Sequence, residues 1–139
     1  MTHDELIWDH FKFNAEQRLK AFNFFLLFSI FTNGGVINAI DKHLSPWLLL
    51  LLGAFLCILS LAFWVADARS KHLLSLSVEA MLDIEKTYPE VCQIFRLDAE
   101  HRSTFVRYTV AFATLLIVQF AFGTGVMAYS LHLLCVAAR

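Results

Sequence analysis

The sequence predicts an all-α integral membrane protein with three long transmembrane helices extended into the cytoplasm. Three observations point there. Residues 46–66 read PWLLLLLGAFLCILSLAFWVA and hold no charged side chain, enough to cross a hydrocarbon core that takes about 20 apolar residues. Two further apolar runs, 21–40 and 109–134, have comparable length. The basic residues also gather on one side of these runs. A charge at the bilayer centre costs about 2.5–3.5 kcal/mol on insertion scales, so a charge-free run is informative.

The whole chain, 1–139, reads as a single membrane domain. Residues 2–40 form an amphipathic helix continuing into the first span. Residues 46–88 form the second span with a cytoplasmic extension. Residues 98–136 hold a cytoplasmic helix start and the third span. With 58% hydrophobic residues, 11 basic and 12 acidic, the composition carries no nucleic-acid footprint. The three cysteines, Cys57, Cys92 and Cys135, share no metal-like spacing, and their placement argues against an intrachain disulfide.

The first helix opens on Thr2-His-Asp-Glu5, a capping box with Thr2 as N-cap. Trp8, Phe11, Ala15, Leu19 and Phe22 recur at spacings of three and four as an apolar stripe, opposite Glu5, Asp9, Lys12, Glu16 and Lys20. No breaker separates this segment from the run 21–40, so one continuous helix is expected. A signal-peptide core is the competing reading. The long mixed-charge leader and the missing small-x-small cleavage site count against it.

A short turn at Asp41–Leu44 leads to Ser45-Pro46, N-cap and first helical residue of the second helix. Trp47 and Trp64 bracket its span about 26 Å apart at 1.5 Å per residue, matching two interfacial belts. Beyond Trp64 the helical pattern continues, with His72, Ser75, Glu79, Asp83 and Lys86 on one stripe and apolar residues around the rest. The first breaker is Pro89. An aqueous helix this apolar must pack, either on the N-terminal stripe or on another subunit. Residues 89–97 read as a turn, Asp98 as N-cap of the third helix, and Tyr108 and Tyr129 as its interfacial markers.

Nine basic residues (Lys12, Arg18, Lys20, Arg69, Lys71, Lys86, Arg96, Arg102, Arg107) lie on one side, against Lys42 and Arg139 on the other. The positive-inside rule places the N-terminus and segment 67–107 in the cytoplasm and the C-terminus outside. In a bacterium this is the inner membrane.

Polar and small residues concentrate in the first span at Ser29, Thr32, Asn33, Gly34, Gly35 and Asn38. The third span offers Gln119, Gly123, Thr124 and Gly125 at similar depth. Helix packing is the ordinary explanation, because small residues let backbones approach and amides bond between helices. The sharper explanation is that Asn33, Asn38 and Gln119 line a pore or cavity in an oligomer. No charge lies deep in a span, which disfavours an ion-coupled transporter but permits a passive pore gated by apolar rings. Arg69, Lys71, Arg96, Arg102 and Arg107 form a juxtamembrane collar for lipid head groups or an anionic ligand. The six histidines include no HxxxH or HExxH, so no metal site is expected. Without a Gly-rich phosphate loop, GxSxG elbow or Cys–His pair, neither an enzyme nor a cofactor is expected.

At residues 18–26, RLKAFNFFL, followed by a span rich in small polar residues, the chain resembles the RipA-like family of small bacterial membrane proteins. It also resembles the SLATT-type domains linked to bacterial defence. The resemblance covers residues 15–88: a basic residue, an Asn-Phe-Phe approach to the first span, and a second span leading to a cytoplasmic helix with Arg69 just past it. It implies a homo-oligomer, octameric in RipA-like proteins, and for SLATT-type effectors a pore triggered by an intracellular signal. A third span departs from the simplest two-span pattern.

The reading is a homo-oligomeric bacterial inner-membrane protein acting as a gated pore or membrane-disrupting effector in antiviral defence or stress. Its expected partners are membrane lipid and itself. The alternative is a non-conducting anchor whose hairpin 67–107 recruits a soluble cytoplasmic partner. A small transporter or accessory subunit is a third, weaker option.

Overall fold

In the computed structural model, residues 3–87, 89, 93, 96 and 108–137 are described. They form three helices: α1 (His3–Asp41), α2 (Pro46–Glu85) and α3 (Tyr108–Ala137). Each is long and apolar enough to cross a membrane, with peak mean hydropathies of 1.4, 2.7 and 1.9 in chain order. The expected caps Thr2 and Asp98, and residues 98–107 of the third element, lie outside the described residues.

α1 stays unbroken because nothing between its charged face and its apolar run interrupts the backbone ladder. It ends in a Schellman arrangement, in which Leu44 N–H donates to the Ala39 carbonyl at 2.9 Å and His43 N–H to that of Ile40 at 3.1 Å. His43 sits at φ 49°, the left-handed conformation this cap requires. The Ser45 carbonyl accepts from Leu48 N–H at 2.9 Å, opening α2 with Pro46 as its first helical residue.

The chain divides into two compact units, Met1–Ala21 with Ala66–Ala111, and Phe22–Val65 with Phe112–Arg139. In the second, Val36, Ala39, Leu49, Leu56 and Val126 form one buried cluster, with Leu52 and Leu133 against it. Phe25, Phe112 and Leu116 form another, with Phe22, Leu59 and Phe63 alongside. Its aromatic rings meet at an edge: Phe22–Phe112 centroids are 5.1 Å apart at 80° and Phe25–Phe112 5.8 Å apart at 77°.

The first unit answers the packing question raised by the apolar extension of α2. Asn14, Asp67, Ser77 and Met81 are buried there, and side-chain bonds tie the start of α1 to the end of α2. The N-terminal helix is therefore one of its packing surfaces.

Candidate site: an intramembrane amide pair and a buried ion-pair network

Within the span-forming unit, α1 and α3 are joined by a reciprocal amide bond. Gln119 Nε2 donates to Asn33 Oδ1 at 2.7 Å and Asn33 Nδ2 to Gln119 Oε1 at 3.2 Å. Gln119 is buried and Asn33 half-buried. A primary amide offers a donor and an acceptor on one planar group, so two of them close a ring of two hydrogen bonds without any charge. In hydrocarbon, each polar atom would otherwise stay unsatisfied at a cost of several kcal/mol.

Gly123 is buried on α3, and the helix it faces contributes a glycine outside the sequence-derived candidates. A Cβ on Gly53 would lie 2.8 Å from Met127 Cγ and 2.9 Å from the Gly123 carbonyl oxygen. One on Gly123 would lie 3.0 Å from both Cys57 Sγ and the Gly53 oxygen. These two glycines set the closest approach of α2 and α3. Gly53 is a lone glycine in a leucine run, with no small partner four residues to either side to mark it beyond Cys57. Nearby, the Ser130 hydroxyl donates to the Pro46 carbonyl, an anchor at the start of α2 between the same helices.

The remaining candidates of the spans behave differently. Gly35 meets only the Leu52 methyls, at 3.9 Å. A Cβ added to Gly34 or Gly125 would have nothing within 4 Å. Asn38 is exposed. Within one chain, then, Asn33 and Gln119 bond each other and Gly123 lies against α2, whereas a Cβ on Gly34 or Gly125 would meet no neighbour and Asn38 is exposed.

In the other unit the principal feature is an acidic residue absent from the sequence-derived candidates. Asp67, with its side chain 3% exposed, accepts from Arg18 Nε at 2.9 Å and pairs through its second oxygen with Lys71 Nζ at 2.6 Å. Arg18 also donates from Nη2 to Thr109 Oγ1 at 3.1 Å. The signal was present: Asp67 is the first charge after the 46–66 run, with Lys71 one turn on. A neighbouring network holds His10 Nδ1 at 2.8 Å from Ser77 Oγ. The Ser77 hydroxyl also lies 3.1 Å from the Leu73 carbonyl.

The described members of the collar differ in their surroundings. Lys71 is committed to Asp67. Arg69 is exposed, and exposed Arg96 gives its backbone N–H to Glu85 Oε2 at 3.1 Å. Arg102 and Arg107 lie outside the described residues. No cluster of three or more His, Cys, Asp or Glu residues suited to a metal occurs among the described residues.

Long apolar helices whose buried polar groups find amide and backbone partners, the Ser29 hydroxyl excepted, define a polytopic α-helical membrane protein. Residues 4–138 match the octameric membrane protein family (8xMP), and the chain belongs to that family. Membership brings self-association, in agreement with the homo-oligomer that the RipA-like resemblance implied. The chain is also similar to CD-NTase-associated protein 19 of Escherichia coli, 29% identical over 83 residues. That match covers 58% of this chain and 54% of the relative, so the chain spans about half the length of the curated relative it matches. No solved structure matches it.

Proposed function

We propose that this protein is a homo-octameric bacterial inner-membrane effector that permeabilises the membrane as part of a defence response. The observation that carries the reading is the family match across nearly the whole chain. The CD-NTase association in the name of the Escherichia coli relative supports the defence assignment, and we carry it over as a CD-NTase-linked trigger. The basic bias favours a cytoplasmic N-terminus and a cytoplasmic segment 67–107, on the side where such a signal arises. Asn33, Gln119 and the glycine seam hold each copy's spans together, and the Arg69-containing collar meets lipid head groups.

The test is dye and ion release from proteoliposomes holding the purified full chain, beside membrane depolarisation in cells expressing it. Release in both systems is expected. An intact oligomer that neither leaks nor depolarises would move the assignment to the anchor reading. One observation favours that second reading: Leu6, Trp8, Phe13, Leu19 and Leu76 leave apolar surface exposed in the first unit, suited to a soluble partner.

A further inference from the structure

The outward faces of α1 and α2 are both largely apolar, but only that of α1 carries amides. On α2 the exposed span residues include Trp47, Leu51, Phe55, Ile58, Leu61 and Val65, a surface suited to acyl chains. On α1 the exposed span residues are mostly apolar too, with Leu27, Ile30, Phe31 and Ile37 among them, but they include Asn23 and Asn38, and neither amide has a hydrogen-bond partner among the described residues. Their separation of 15 positions corresponds to about 22 Å along a helix, within a hydrocarbon core about 30 Å thick. At about 100° per residue the two fall within about 60° of each other, with Gly34 between them. A Cβ on Gly34 meets nothing within 4 Å in its own chain, so its open backbone extends the same strip.

Lipid offers these amides no partner, so such groups turn to protein or to water. In a closed ring each copy repeats the same surface about one axis, and an amide there finds its symmetry mates or a hydrated lumen. Asparagine both donates and accepts, so the strip is complementary to itself. We infer that the Asn23–Gly34–Asn38 face of α1 is turned toward the α1 helices of neighbouring copies around the symmetry axis, with the apolar face of α2 outward in lipid. This rests on the oligomeric part of the proposed function and assigns a surface to it.

The test uses single-cysteine variants of the full chain, with Cys57, Cys92 and Cys135 replaced by serine and assembly verified by native mass spectrometry. Asn38→Cys and Gly34→Cys are expected to give intermolecular cross-links in native membranes with copper phenanthroline, and Ile58→Cys none. Cross-linking at Ile58→Cys equal to or above that at the α1 positions would overturn the assignment while leaving the oligomer standing. A second variant needs no cysteine background. Gly34→Leu is expected to lose the oligomer yet keep its helical circular dichroism, because nothing in its own chain opposes the side chain. Retention of the full oligomer by Gly34→Leu would also overturn the assignment. A wild-type protein that is monomeric would instead remove the oligomeric reading itself.

Discussion

Gln119 is buried with one partner, Asn33, and the two satisfy each other. Replacing Asn33 alone by leucine leaves the glutamine amide without its protein partner. The expected loss is about 0.6 kcal/mol, the average for interhelical hydrogen bonds in membranes, and at most about 2 kcal/mol. The double variant Asn33→Leu/Gln119→Leu should recover part of that loss, since removing both partners leaves nothing unsatisfied. Unfolding in mixed micelles measures both, and Leu51→Phe on the exposed face of α2 should change little. Asp67 presents the harsher case. With Arg18 only 11% exposed, Asp67→Ala takes the carboxylate partner from a buried guanidinium that keeps its bond to Thr109, a loss on the order of 3–5 kcal/mol. Severe loss of folded protein, measured by thermal aggregation in detergent, is expected, and Asp67→Asn should be milder because it still accepts a hydrogen bond.

Among the elements, the caps and the α2–α3 seam make opposite predictions. His43 occupies a left-handed position, which costs a non-glycine residue about 1–2 kcal/mol. Glycine there gains unfolded-state freedom of about 0.4–1 kcal/mol, leaving His43→Gly a net stabilisation of about 0.5–1 kcal/mol. Gly53→Ala should destabilise, since its Cβ would press on the Gly123 carbonyl at 2.9 Å and Met127 N at 3.0 Å, whereas Gly125→Ala should be tolerated. Thermal melts of the purified variants in one detergent rank all three. The unbroken course of α1 and the start of α2 were legible in the sequence, because Pro46, the charge-free run and the α1 pattern each fix a local property. Partners were not. Asn33 and Gln119 were both visible, but their pairing depends on the rotation of α1 against α3. Asp67 was not legible as a site because its value comes from Arg18, which lies 49 residues away in sequence. The glycines divided in the same way, with only Gly123 of the small-residue candidates meeting a backbone.

For the whole molecule, most of the surface of each span is left uncovered by its own chain, with 28% of the residues in each apolar window buried. Lipid suits the α2 face, and other copies suit the α1 face. Both requirements are met if three-helix protomers close into a ring, and the family to which the chain belongs is described as octameric. The central claim is therefore stoichiometric. Native mass spectrometry of the full chain released from detergent tests it most directly. A single closed species at eight times the 15.9 kDa protomer is the expected result. A monomer or dimer under conditions that preserve helicity would contradict it, and with it the self-formed pore.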